Sequence, residues 1–240
     1  MKFSLCIPMY NEEKIIADTA RTLSEYMSEN FDDYEIIFAN DGSKDGCDKA
    51  VEALGLPCVR VVGYEENRGK GYAVRTAMLA AEGDVIMFTD ADLAYGTDVI
   101  KGVYDFYVEN SRDGDIHMMI GSRNLNKDGY SEYTLIRKIA SKTYIKVLCL
   151  VGGFKLSDSQ CGCKAFRGDA AHEIFSRCTV NGFAFDFEAI LWADKLGYTI
   201  KELPVKIINH RESKVNVFKD TFKMLRDLKR IKKNVKRTKI

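Results

Sequence analysis

Over residues 1–90, short β-rich runs alternate with stretches of helical periodicity, and this constrains the fold more than any other feature of the chain. Residues 3–7, 34–39, 58–62 and 85–89 read as strands, the last an almost continuous apolar run of the kind buried in the middle of a parallel sheet. After the first run, Ile15, Ile16, Thr19, Leu23, Tyr26 and Met27 recur at helical spacing. Residues 45–54 can form a second helix, and residues 72–81, rich in Ala, Leu and Met and closed by Gly83, a third. Strand, helix, strand, helix in such short succession predicts a doubly wound α/β domain with a mostly parallel sheet. Ligands of such a sheet belong at the carboxyl ends of its strands.

Further on, residues 116–121 read as a fifth strand and 133–151 as a helical segment. A polar stretch at 156–162, helices near 170–177 and 187–196, and a closing strand at 200–208 follow. No Pro/Gly/Ser-rich linker and no internal repeat divides these parts, so residues 1–216 are expected to form a single domain, a size natural for one α/β unit. Seven scattered cysteines argue for a reducing compartment and against a disulfide framework. Neither a signal peptide nor a membrane span is expected. The start lacks an apolar h-region, and the longest apolar stretch, at 144–154, is broken by Lys146 and the Gly152-Gly153 pair.

The net charge of +1 conceals an asymmetry. Residues 217–240 carry ten Lys/Arg against Asp220 and Asp227, a net of +8, which leaves −7 on the first 216 residues. Within this tail Phe218, Phe222, Leu225, Leu228, Ile231 and Val235 share one helical face, with cations on the others. The spacing predicts a basic amphipathic helix that either packs its stripe on the body or lies on an anionic membrane surface. In a combined arrangement residues 218–225 dock and residues 229–239 face lipid. A nucleic-acid partner is disfavoured, because aromatic residues for base stacking are not interleaved with the cations.

Polar residues gather at the strand ends. The first strand ends in Pro8-Met9-Tyr10-Asn11-Glu12, the second in Asn40-Asp41-Gly42-Ser43, and the fourth in Asp90-Ala91-Asp92. A lone Asp-x-Asp is ordinarily a solvated acidic turn. Two carboxylates at i and i+2 just past a buried central strand can instead share one Mg²⁺ or Mn²⁺, completed by waters and a substrate diphosphate. Asp41 suits either an Asx turn or contact with a base or ribose, while Asn11 and Glu12 suit the start of the first helix. Asn67-Arg68-Gly69-Lys70-Gly71 opens a helix with two glycines and two cations, a setting for phosphate that matches neither a dinucleotide fingerprint nor a P-loop. Arg123 ends the fifth strand, and Arg137 and Ser141 lie four apart on one helix face, where arginine suits phosphate. The loop around Asp158 is a source for an acid/base group. Cys161 and Cys163 make a poor metal site, and the three histidines fit no triad spacing.

Together these motifs resemble the family 2 inverting glycosyltransferases, most closely the polyprenyl-phosphate (dolichyl-phosphate) glucosyl- and mannosyltransferases. Asp158-Ser-Gln-Cys-Gly162, Phe185-Asp-Phe-Glu188 and Arg211-Glu-Ser-Lys214 add to the segments already quoted, and the likeness spans residues 3 to about 216. It implies a glycosyltransferase A-type, Rossmann-like domain. It also implies a nucleotide site drawn from Pro8, Tyr10, Glu12, Asp41, Lys70, Asp90 and Ala91, and a divalent metal on Asp90 and Asp92. Arg123, Arg137 and Ser141 match positions that grip donor and acceptor phosphates. Two departures stand out: Ala94 replaces a glutamine of many mannosyl relatives, and the C-terminal spans of self-anchoring members have no counterpart here.

The expected reaction is transfer of a hexose, glucose from UDP-glucose, to a polyprenyl monophosphate with inversion. The chain is expected to be cytoplasmic, peripheral on the cytoplasmic face of the membrane, and a homo-oligomer is left open. An acceptor phosphate is mostly dianionic at pH 7 and needs only orientation, by Arg123 and Arg137. A sugar-hydroxyl acceptor, as in cell-surface polysaccharide synthesis, would need a base, Asp158 first and Asp186 or Glu188 second. The remaining alternative is a non-catalytic nucleotide-sugar or membrane-binding protein of the same fold.

Overall fold

The computed structural model describes residues 1–110, 116–130, 135–209 and 217–239, with the side chains of 135–137, 140 and 217–226 excepted. The chain runs β1 (Phe3–Met9), α1 (Glu13–Asn30), β2 (Tyr34–Asp41), α2 (Cys47–Glu52), β3 (Val59–Tyr64), α3 (Lys70–Ala80), β4 (Val85–Phe88) and α4 (Asp98–Asn110). It continues through β5 (Met118–Ser122), α5 (Leu135–Gly152), β6 (Lys164–Arg167), α6 (Gly168–Arg177), α7 (Phe185–Lys195), β7 (Ile200–Pro204) and α8 (Val217–Arg237).

Seven strands form one sheet in the order β3-β2-β1-β4-β6-β5-β7. Only β6 is antiparallel to its neighbours β4 and β5, so the mostly parallel sheet expected from the sequence is the one observed. Strand β6 and helix α4 escaped the sequence reading. β6 has four residues and includes a lysine, too little for a periodic signal.

Alternate side chains of the inner strands feed two cores, as period-2 geometry requires. Leu5, Ile7, Ile36, Phe38 and Met87 point to the face covered by α1, with Ile16, Leu23 and Met27. Cys6, Ile37, Ile86 and Phe88 point to the other, where Ala73, Val74, Ala77 and Met78 of α3 pack with Phe185 and Phe187 of α7. Burial on both faces explains the continuous apolar reading of β4.

The basic helix α8 is part of this second core. Leu228, Ile231 and Val235 are buried there together with Leu148 of α5 and Trp192 of α7. Lys195 donates to the carbonyls of Val235 (2.5 Å) and Thr238, and Lys232 to that of Val151 (2.5 Å). Each apolar side chain so buried is worth about 1.5–3 kcal/mol. The combined arrangement expected for 217–240 is therefore corrected: residues 228–235 dock by one face instead of facing lipid throughout. The opposite face exposes Lys229, Arg230, Lys233, Lys236, Arg237 and Lys239. The side chains of Phe218, Phe222 and Leu225 lie outside the described residues.

Candidate active site

Loops after β1 and β2 are stitched together at the carboxyl edge of the sheet. The Asn11 amide donates to Ser43 Oγ (3.0 Å), and Asn11 Oδ1 accepts from the Lys44 amide (2.9 Å). Asn11 adopts a left-handed φ of 51°, tolerable for asparagine. Helix α1 takes its acidic partner from across this junction, where Asp45 Oδ2 accepts from the Glu13 amide (2.8 Å). Tyr10 is 43% exposed beside partly covered Pro8 and Glu12, and its ring is accessible to a ligand.

Asp41 is turned inward. Its carboxylate accepts from Tyr64 Oη (2.7 Å), Asn67 Nδ2 (2.9 Å), and the amides of Arg68 (2.8 Å) and Gly69 (3.0 Å). At 3% exposure and with these donors, it organises the 64–69 loop, as the turn reading of Asp41 has it.

The helix following that loop is also spoken for. The amides of Gly71 and Tyr72, at the start of α3, donate to the Asn181 carbonyl (2.8 and 3.2 Å). A Cβ on Gly69 would come within 2.6 Å of that same carbonyl, and one on Gly71 within 2.6 Å of the Val180 carbonyl. These glycines thus admit the 180–182 segment, whose Asn181 carbonyl takes up the Gly71 and Tyr72 amides. Glu188 of α7 holds the segment by accepting from Thr179 Oγ1 (2.9 Å) and the Thr179 and Val180 amides (2.8 and 2.7 Å).

What the loop does deliver is Lys70. Its Nζ meets Asp90 Oδ1 at 2.5 Å at the end of β4. Burial works against its charge, but Asp90, Asp186 and Asp92 outweigh that and raise its pKa, so the ammonium stays protonated. Ala91 is buried, its carbonyl accepting from Thr19 Oγ1 (2.8 Å), and Asp92 Oδ1 accepts from the Ala94 amide (3.1 Å). On its other side Asp90 rests on Gly162, where a Cβ would stand 2.3 Å from Oδ2.

Behind Asp90 lies a charge pair absent from the sequence reading. Lys164, 1% exposed on β6, meets Asp186 Oδ1 at 2.6 Å and donates to the Cys161 carbonyl (2.6 Å). Burial raises the pKa of Asp186, and Lys164 and Lys70 moderate the rise. Only a coordinate view finds this pair, because its members are distant in sequence.

Arg123 and Asp158 form a second buried pair. Arg123 Nε and Nη2 grip the two carboxylate oxygens at 2.6 and 2.9 Å, and the Arg123 amide adds a third bond at 3.2 Å. Burial opposes the charge of Arg123, yet the nearby Tyr95 oxygen and Asp158 hold its pKa above the ordinary arginine value. Asp158 is fully buried, and a carboxylate so engaged positions Arg123; the base named for a hydroxyl acceptor is thus tied to a guanidinium. Glu202 of β7, also missed, secures the loop by accepting from Ser157 Oγ (2.7 Å) and the Asp158 amide (3.1 Å). Ser141 is half-buried on α5. The Arg137 side chain and the Arg211-Glu-Ser-Lys214 motif lie outside the described residues.

A divalent cation fits this place in one form only. Among the described residues no three carboxylate, histidine or cysteine groups converge, so an all-protein cage is absent. Two hard-oxygen donors, Asp90 and Asp92, suit an ion whose remaining positions are filled by water and diphosphate. The Asp90 carboxylate occupies the place where a Gly162 Cβ would stand, so the absence of that Cβ is what fixes where this donor sits.

Residues 4–175 match the sequence model of Glycosyl transferase family 2. The chain is 30% identical over 243 residues to a dolichyl-phosphate beta-glucosyltransferase of Dictyostelium discoideum, covering 95% of this chain and 73% of that one. The human protein of the same name is 30% identical over 244 residues, with 95% and 74% covered. Glucosyl-3-phosphoglycerate synthase from Mycobacterium tuberculosis, solved with UDP, superposes with a TM-score of 0.69 at 18% identity, covering 99% and 81%. Its complex with Mn²⁺, UDP-glucose and phosphoglyceric acid gives 0.68 at 19% identity, again over 99% and 81%. At such identities the superpositions establish a shared fold.

Proposed function

The chain belongs to glycosyl transferase family 2, and from that premise we propose that it transfers glucose from UDP-glucose to a polyprenyl monophosphate of the dolichyl type, with inversion at the anomeric carbon. The acceptor class rests on one observation. The three carboxylates named as bases toward a hydroxyl acceptor are already committed: Asp158 to Arg123, Asp186 to Lys164, and Glu188 to the 179–180 backbone. A phosphate acceptor needs no base, because it is largely a dianion at pH 7. The names of the curated relatives support the same acceptor and sugar.

In this reading Lys70 places a fixed positive charge beside the donor diphosphate, and burial of its surroundings strengthens that charge. Asp90 and Asp92 would hold Mg²⁺ or Mn²⁺, which supplies neutralisation of charge on the leaving UDP. Tyr10, exposed at the end of β1, would cover the base. Arg123, locked in orientation by Asp158, would orient the acceptor phosphate, a role the resemblance also gives to Arg137 and Ser141.

No helix of the described residues is long and apolar enough to cross a membrane. The exposed cations of α8 offer another route to a membrane-confined acceptor, each contributing roughly 1 kcal/mol near an anionic surface. In our reading the enzyme works at the cytoplasmic leaflet, whose anionic lipids would attract these cations. The test is direct: purified protein is incubated with Mn²⁺, UDP-glucose or GDP-mannose, and either farnesyl phosphate or a free sugar. Glucosyl phospholipid from UDP-glucose is the expected product. Transfer to the free sugar alone would overturn the acceptor assignment.

A further inference from the structure

Helix α5 ends in a glycine pair that folds the chain back along its own flank. Gly153 has a left-handed φ of 92°, and its amide returns to the Cys149 carbonyl (2.8 Å). Phe154 lies over Gly152, where a Cβ would come within 2.3 Å of the ring, and Cys149 Sγ donates to the Leu156 carbonyl (3.3 Å). Between helix and returning segment runs a groove of about 830 Å³, within the roughly 300–1,000 Å³ usual for ligand sites.

Its floor is apolar, formed by Ile145, Cys149, Phe154 and Leu156, and its rim carries the exposed Lys142, Lys146 and Lys155. The inner end is lined by Asn124 and Ser157, the chain neighbours of Arg123 and Asp158. Five residues link Ser157 to Gly162, which touches Asp90, so the inner end lies at most about 18 Å from that carboxylate. At the outer end Leu150 is 84% exposed. Ile139, Lys142, Thr143, Lys146 and Leu150 together make an exposed face of α5 on which apolar and cationic residues mix.

We propose that this groove receives the first part of the acceptor's hydrocarbon chain, headgroup inward toward Arg123 and the remaining chain leaving past Leu150. The assignment rests on the acceptor class argued above. An apolar floor with a cationic rim is complementary to an apolar chain with an anionic head, and continuity with the Arg123–Asp158 pair sets the direction. A neutral apolar ligand would leave the three lysines without purpose, and a free phosphate would leave the floor without one.

Cys149 reports on the groove without reference to catalysis. Alkylation of the intact protein by iodoacetamide, followed by peptide mass spectrometry, gives its rate alone and with farnesyl phosphate, inorganic phosphate or octyl glucoside. Farnesyl phosphate at four times its dissociation constant is expected to slow Cys149 about fivefold, with the other two nearly inert. Leu150→Glu, at an exposed position, is expected to remove this protection and to raise KM for farnesyl phosphate about tenfold. Its KM for UDP-glucose should stay unchanged. An unaltered alkylation rate with farnesyl phosphate, or equal protection by the detergent, would overturn the groove assignment. Protection without any glucosyl transfer would leave the groove standing and remove the proposed reaction, and transfer without protection would do the reverse.

Discussion

The carboxylate of Asp90 lies against the α-carbon of Gly162, so close that any Cβ there would stand 2.3 Å from Oδ2 and 3.0 Å from Cγ. Seventy-two residues separate the two in sequence, and Lys70 presses the same carboxylate from the other side at 2.5 Å. Gly162→Ala must therefore move Asp90. A displacement of this size at a reacting centre is expected to cost about a hundredfold in kcat. Thermal unfolding and circular dichroism should remain close to the parent, since the Asp90 side chain is partly exposed and can swing. Unchanged turnover would mean that the position of Asp90 is immaterial.

Asp92→Asn removes one of two candidate metal donors and is expected to lower transfer by about a hundredfold, the scale of losing one main electrostatic stabiliser. Raising Mn²⁺ should recover part of the loss. Chelator should abolish the parent activity, and full turnover in excess chelator would exclude a metal role for both aspartates.

Asp158→Asn breaks a buried ion pair while keeping its shape. Leaving Arg123 without its counter-charge is expected to cost about 3–5 kcal/mol. For a chain of this length that lowers Tm by on the order of 10 °C. The acidic limb of the pH–rate profile should survive, because it follows the acceptor phosphate. Disappearance of that limb would restore Asp158 as a base.

Glu35 carries a pH dependence of stability. Burial opposes its charge, but Ser4 Oγ (2.7 Å), the Glu82 amide (2.8 Å) and Arg60 (3.0 Å) hold its pKa below the ordinary glutamate value of 4.5. A folded pKa below the unfolded one means that its stabilisation is present above about pH 4.5 and lost as pH falls through the folded value. Urea midpoints between pH 7 and pH 3 should fall less steeply for Glu35→Gln than for the parent, from a lower starting point. Parallel curves would exclude this contribution.

The basic face of α8 can be tested only with its core face intact. A chain ended at Asp227 loses Leu228, Ile231 and Val235 from the core, together about 5–9 kcal/mol, comparable with a whole domain's stability. That truncation is expected to unfold, which circular dichroism and thermal melting would show. Replacing the exposed Lys229, Lys233, Lys236 and Arg237 by Gln is expected to leave Tm unchanged and to weaken sedimentation with anionic liposomes. Equal sedimentation at low salt would exclude α8 as the membrane contact.

The sequence by itself determined the alternation of strands and helices, the two-sided burial of β4, and the arrival of Asp90 and Asp92 at the ligand edge of the sheet. These depend on spacing within a few residues, where backbone geometry alone dictates which side chains share a face. Tertiary structure decided which polar groups remain available. Asp41 has the same local setting as Asp90, at the end of an inner strand, yet donors from residues 64–69 consume one carboxylate while the other keeps a partly open face. The partners of Arg123, Lys164 and Glu202 lie 22 to 45 residues away, at separations set by the sheet order. An antiparallel β6 between β4 and β5 brings the 157–162 loop onto Asp90, and α8 returns to close the second core. Whether a carboxylate is a ligand, a base or a brace depends on the donors that fold against it, and those come from elements remote in the chain.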